Sequence, residues 1–298
     1  MSGEFRASLL ESGLLFSTGV DGLYIRSGTF EKIVLGIDDL VTSAGADHMA
    51  QVLHFPPIIP RVVFEKSGYL LSFPDLLGSI DVFDGGEDLQ AEILERLDRG
   101  ENWAELLKAS DLTLCSAACH PLYPLCSGRL PAGGRRFEVF GHCFRHEPSL
   151  DPARMQSFRQ HEFVYVGEPP GALAHRDLWL ERSAELLSGL GLAVEKVAAN
   201  DPFFGRGGRI LASSQRAEEL KYEVVCPIED GAAPTAVSSS NYHLDHFGTG
   251  FGIESAHGAP AHSACVGFGV ERITLALLAR YGLDPDRWPA GVRGLLWP

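Results

Sequence analysis

The chain has 298 residues, 45% of them hydrophobic, which supplies a substantial core and excludes a disordered polymer. No apolar run reaches the ~18–20 residues of a membrane span, and "MSGEFRASLLESG" has no basic segment leading into an apolar one, so a cytoplasmic protein with no membrane partner is expected. The net charge of −14 opposes a polyanion held through its phosphates, which weighs against tRNA or DNA as a partner.

In chain order, "GLYIRSGTFEKIVLGI" reads as two strands around a turn at Ser27-Gly28. "ADHMAQVLHF" (46–55) carries a helical pattern that stops at Pro56-Pro57. "RVVFEKSGYLLSF" (61–73) reads as a strand, a turn at Ser67-Gly68 and a second strand. Residues 87–110 are amphipathic and helical, broken at Arg99-Gly100. "RRFEVFGHCFRHE" (135–147) and "MQSFRQHEFVYVG" (155–167) are β-rich and suit an antiparallel hairpin. A helix is expected over 171–191, with a glycine stop. Residues 220–228 and 234–243 read as strands, and 264–282 as a strand running into a helix. Helices and mostly antiparallel strands are interspersed without a βαβ rhythm. That predicts an α+β fold with a large antiparallel sheet. No repeat or linker divides the chain, so 1–298 is read as one domain, with 1–40 appended to a core over 41–298.

The six cysteines, Cys115, Cys119, Cys126, Cys143, Cys226 and Cys265, include no CxxC pair. Their plain reading is buried small hydrophobes. Any metal site has to be assembled from distant residues.

Two stretches carry chemistry. In "GFGVER" (267–272), glycines precede a helix whose positive N-terminal end favours an anion. Gly267, Gly269 and Arg272 can therefore form a phosphate site; a strand-to-helix turn with a surface arginine is the alternative. In the hairpin, the Arg145 fork can match two oxygens of an α-phosphate. Glu147 can accept from an adenine amino group, and Phe158 on the return strand can stack on a purine. An exposed Arg145–Glu147 ion pair is the plain alternative.

Taken together, these stretches resemble the catalytic core of class II aminoacyl-tRNA synthetases. "FRHE" looks like their second motif and "GFGVER" like their third. "VLHFPPIIPRVVFE" (52–65) is similar to the first, a helix and strand with a proline at the dimer interface, here Pro60. The likeness covers roughly residues 40–295. It implies a synthetase-like antiparallel sheet flanked by helices, and a homodimer. "AACHPLYP" (117–124), "SFRQHEFVYVG" and "SACVGFGVER" look closest to the atypical seryl-tRNA synthetase type. Closer still are its stand-alone relatives, the amino acid:[carrier protein] ligases, which "SFPDLLGSIDVF", "KYEVVCPI" and "SSSNYHLDHFG" also resemble.

That resemblance implies a catalytic zinc bound by Cys, Glu and Cys, and the matching residues are Cys119, Glu162 and Cys265. Two thiolates and one carboxylate leave one tetrahedral position open for a substrate amino group. A buried carboxylate must also be paired or bound to metal, which suits an acid within "HEFVYV". Core cysteines and a salt-bridged Glu162 are the alternative. The resemblance further places Glu254 as a Mg²⁺ ligand, Ser240 and Asn241 in the amino-acid pocket, and Lys221 and Glu223 on a strand beside the site.

The implied chemistry is ATP-dependent activation of a small amino acid, glycine or alanine, to an aminoacyl-adenylate. Arg145 would neutralise the α-phosphate and Arg272 the γ-phosphate, with Mg²⁺ bridging phosphates. The aminoacyl group then passes to the phosphopantetheine thiol of a carrier protein. No basic extension or coiled-coil arm is read for tRNA. "GRGGRILASSQR" (205–216) has three arginines and no acid, so Arg206, Arg209 and Arg216 are expected to help dock an acidic carrier. Two other readings compete, a tRNA-acting enzyme and a non-catalytic synthetase paralogue. The role of Arg159 stays open, as does that of residues 1–40.

Overall fold

The computed structural model describes residues 2–200, 219–229, 231 and 233–298. The first third contains α1 (Ser2–Glu11), β1 (Leu15–Ser17), β2 (Tyr24–Arg26), α2 (Gly28–Ala44), β3 (Gln51–His54), β4 (Ile58–Pro60), α3 (Arg61–Lys66), α4 (Tyr69–Ser72), β5 (Ser79–Val82) and α5 (Glu87–Asp98). The middle contains β6 (Lys108–Leu114), β7 (Gly128–Arg129), β8 (Arg135–Phe144), β9 (Ser157–Gly167), α6 (Pro169–Gly189) and β10 (Glu195–Ala198). The last part contains β11 (Lys221–Cys226), β12 (Thr235–Tyr242), α7 (His246–Phe251), β13 (Ile253–Glu254), β14 (His262–Gly269), α8 (Val270–Tyr281) and α9 (Ala290–Leu296).

Seven strands form the central sheet in the order β10-β11-β12-β14-β9-β8-β3. All neighbours are antiparallel except β3 and β8, which run parallel. The expected α+β architecture with a large antiparallel sheet flanked by helices is therefore what forms. The long hairpin β8–β9 lies inside the sheet, with β9 between β8 and β14. Strands with both faces covered read as continuous apolar runs, and β9 does so over Phe163–Val166.

One face of the sheet carries α2, α6 and α8. Phe30, Ile33, Val34, Ile37 and Val41 of α2 share a core with Phe163, Trp179, Val266 and Phe268. Phe163 and Trp179 stack at 4.1 Å between ring centroids. Gly45 ends α2 where a Cβ would lie 2.1 Å from the Phe163 ring, so only glycine fits. The other face carries α3, α7 and a 3-10 turn, His120–Cys126, around Cys119, Leu122, Tyr123, Val164, Phe247 and Cys265.

Four local expectations are corrected. The segment after Ser27 is the helix α2, not a strand: the Ser27 hydroxyl accepts from the Phe30 N–H at 3.2 Å and caps it. Its buried residues recur at helical spacing on one face. Residues 46–55 are not a helix. A 3-10 turn, Ala46–His48, ends at Met49 in the left-handed region (φ 48°), and the chain then pairs with β8 as β3. The 61–73 segment turns at Gly68 (φ 73°) as expected, but between the helices α3 and α4. Burial of Val63 and Phe64 outweighs the strand preference of that run. The helix over 87–110 stops at Asp98, and Lys108–Leu114 forms β6, paired with β4 and β5. Pro60 is accordingly the exposed N-cap of α3 between two strands and a helix, not a residue after a helix. No helix among the described residues is long and apolar enough to cross a membrane.

Candidate active site

Strand parity decides which residues meet. Along β9, Phe158, Gln160 and Glu162 line a cavity of about 690 Å³, while Arg159, His161 and Phe163 point to the helical face. Cys265, Gly267 and Gly269 of β14 line the cavity with the same alternation, as do Lys221 and Glu223 of β11, whereas β12 contributes residues of both parities, Ser238 and Tyr242 as well as Ser239 and Asn241.

At one end lie Cys119, Glu162 and Cys265, whose ligand atoms are all within 4.8 Å of one another. Cys119 precedes the 3-10 turn, and its N–H donates to Glu162 Oε1 at 3.2 Å. Cys265 reaches the same point from β14, where Gly267 is the register partner of Glu162. The three are 4%, 2% and 5% exposed. Burial, reinforced by Cys265, pushes the Glu162 carboxyl up to about 8. A hydrogen bond with Cys265, then burial, pushes the Cys119 thiol up, and the same bond pulls Cys265 down. Two sulfurs and one carboxylate in a closed pocket fit a zinc ion with one position left open.

Sequence reading missed His243 beside this triad, while Asn241 was expected in the pocket. His243 Nε2 lies 3.6 Å from Cys265 Sγ, and its Nδ1 meets Ser263 Oγ at 2.9 Å. Asn241 Nδ2 lies 3.5 Å from the same sulfur. His120, which lies within the 117–124 stretch quoted above, lines the cavity, and its buried Nδ1 has no hydrogen-bond partner among the described residues. The two-residue spacing from Asn241 was the available signal for His243.

At the other end, Arg145 and Arg272 line the cavity together. Arg145 Nε donates to the Ser116 carbonyl at 3.2 Å, and its guanidinium lies 5.3 Å from the Phe158 ring centroid. Arg272 donates to the carbonyls of Ala153 (2.8 Å) and Ala236 (3.0 Å). Burial, then the nearby charge of Arg145, lowers the pKa of Arg272. Two converging cations in a half-closed cavity form an anion cradle. Glu147 lines the same cavity. A Cβ on Gly267 or Gly269 would make only ordinary contacts with protein, at 3.6 Å and 3.7 Å, so the space both glycines leave belongs to the cavity.

Two of the expected site residues do not line this cavity. Ser240 is buried and, unlike its neighbours Ser239 and Asn241, does not line the cavity. Glu254 lies on β13, outside the cavity, and pairs with Arg129 at 3.0 Å. Arg206, Arg209 and Arg216 lie outside the described residues.

Arg159 now has a place. It chelates Glu31 of α2 at 2.6 and 2.9 Å, and its Nε meets Glu271 of α8 at 2.7 Å. Arg26 joins the same two acids at 3.1 and 2.7 Å. This buried network fastens the N-terminal segment to the sheet.

The antiparallel sheet, the β8–β9 hairpin and the β14–α8 glycine run define a class II aminoacyl-tRNA synthetase-like core. The M. kandleri SerRS, solved in complex with A. aeolicus tRNASec, superposes with a TM-score of 0.82 at 22% identity, covering 99% of this chain and 60% of that one. No protein-family model matches the chain. Amino acid–[acyl-carrier-protein] ligases 1 and 2 of Bradyrhizobium diazoefficiens are 43% and 42% identical over 96% of this chain, and 88% and 86% of their own lengths. The chain belongs to that ligase family and is an enzyme of the ligase class. It is also 28% identical to the type-2 serine–tRNA ligase of Methanopyrus kandleri, of which it spans 49%.

Proposed function

We propose that the protein activates glycine or alanine with ATP and passes the aminoacyl group to the phosphopantetheine thiol of a carrier protein. One observation supports this most. A single cavity joins an amine-sized site at Cys119, Glu162 and Cys265 to an anion cradle at Arg145 and Arg272. An aminoacyl-adenylate has an amine at one end and a phosphate at the other.

In the first step a carboxylate oxygen of the amino acid attacks the α-phosphorus, and pyrophosphate leaves. Arg145 orients the α-phosphate, Arg272 takes charge on the departing phosphates, and Phe158 stacks on the purine with Glu147 accepting from its amino group. Asn241 and Lys221 bound the amino-acid end. In the second step the carrier thiol attacks the carbonyl carbon, a C–S bond forms, and AMP leaves with the C–O electron pair. The thiol proton passes to solvent. Cys119, Glu162 and Cys265 would hold zinc, whose bound form supplies a Lewis-acid site for the neutral amine. Mg²⁺ enters with ATP.

The same reading takes residues 1–298 as one catalytic domain, cytoplasmic, dimeric and without tRNA as acceptor. It takes Arg206, Arg209 and Arg216 as a carrier-docking cluster. Glycine- or alanine-dependent ATP–pyrophosphate exchange, followed by transfer of labelled amino acid to a phosphopantetheinylated carrier protein or to tRNA, tests it. Exchange with transfer to the carrier alone is expected. No exchange, or transfer to tRNA, would overturn it.

A further inference from the structure

We propose that Gln160 is a substrate-binding residue whose amide N–H groups hold the carboxylate of the amino acid, and then the carbonyl oxygen of its adenylate. The inference rests on the adenylate-forming reading above. It starts from the position of Gln160 between Phe158 and Glu162 on the cavity face of β9. Same-face residues of a strand are about 6.6 Å apart. Gln160 therefore stands midway between the ring assigned to the purine and the carboxyl assigned to the amine site.

The direction of its amide is set by its surroundings. The Ala118 backbone N–H, which can only donate, meets Oε1 at 3.2 Å. The Cys143 thiol meets the same oxygen at 3.1 Å. Burial pushes the Cys143 thiol well up, so it stays an S–H donor. With both contacts on Oε1, Nε2 faces the cavity, and none of its hydrogen bonds to a described residue is found. Donors that line a cavity without protein acceptors are met by what the cavity binds.

The chemistry of the ligand names the acceptor. Between the amine nitrogen and the phosphorus of an aminoacyl-adenylate lie only Cα, the carbonyl group and the bridging oxygen. The carbonyl oxygen is the acceptor available at the level of Gln160. A neutral donor there fixes the carboxylate for attack without the tight ion pair that a cation would make. It also faces the oxygen on which charge collects when the carrier thiol adds to the carbonyl carbon. Cys143, otherwise one more buried cysteine, acquires a task as the anchor of that amide.

Gln160→Glu keeps an oxygen for Ala118 and Cys143 but turns the ligand-facing donor into an acceptor. In pyrophosphate exchange its kcat/KM for glycine and alanine should fall roughly 10- to 100-fold, the effect of a lost hydrogen bond to a charged group. The KM for ATP, the zinc content and the melting temperature should stay at wild-type values. Gln160→Met, of similar size and uncharged, should show the same split with a smaller loss. Wild-type amino-acid kinetics in both variants, or equal losses for ATP and amino acid, would overturn the assignment while wild-type exchange still upholds the ligase reading. Absence of exchange in the wild type itself would overturn that reading and this inference together.

Discussion

The two faces of β9 hold similar residues and do different work. On the cavity face Glu162 is a carboxyl shut in with two thiols, and its pKa is raised to about 8. On the helical face Arg159 is a buried cation answered by two acids, and His161 lies between Asp38 and Glu138. Adjacent residues in one four-letter run, Arg159-Gln160-His161-Glu162, thus belong to two separate environments about 180° apart. One environment presents polar groups to a cavity; the other consumes charge in fastening α2 and α8 to the sheet. A polar cluster in a strand should be split by parity before any of its members is given a catalytic role.

The contrast can be broken at either face. On the cavity side, Glu162→Ala and Cys265→Ala should each abolish zinc retention, measured by elemental analysis, and lower pyrophosphate exchange by about 100-fold or more. Retained exchange in either would separate the triad from the chemistry. On the helical side, Arg159→Met removes one of the two arginines that meet the buried Glu271 and leaves Arg26 as its remaining cation. Chemical denaturation should show a loss of roughly 1.5–3 kcal/mol, the worth of a hydrogen bond to a charged group, while the folded fraction keeps its KM for ATP. A change in that KM would join the two faces again.

Smaller effects sharpen the picture. Phe158→Ala removes the proposed purine platform, worth about 1–3 kcal/mol per stacked base. The KM for ATP should rise accordingly, with no change in the KM for amino acid. The smallest effect concerns pH. Burial tends to raise the Glu31 pKa, but the hydrogen bond and charge of Arg159 outweigh it and the net shift is below the ordinary 4.5. A depressed folded-state value means the stability from Glu31 is complete above pH 4.5 and is lost as pH falls through that lower value. Acid denaturation of Glu31→Gln should therefore be flatter below pH 4.5 than that of the wild type. Parallel acid limbs would show that the network stabilises without titrating.

Much of this was legible from residues alone. Alternation in "SFRQHEFVYVG", the glycine stop after α6 and the run from β14 into α8 are local signals, and all three elements form where they were read. The resemblance pointed to Cys119, Glu162 and Cys265, and the residues of the hairpin and the glycine run pointed to Arg145, Glu147, Phe158 and Arg272; all of them line one cavity. What the sequence left undetermined was every choice made by distant contacts. Val63 and Phe64 are β-formers, yet burial against the 3-10 turn and α7 makes their segment helical. Ser240 and Asn241 are neighbours in the chain, but pairing of β12 with β14 gives the pocket only the second. Glu254 is an acid shortly before the glycine run, and an arginine from β7 claims it outside the cavity. Periodicity and glycine placement act over a few residues and can be read directly; register, parity against a partner strand and the company of a buried charge exist only once the chain has closed on itself.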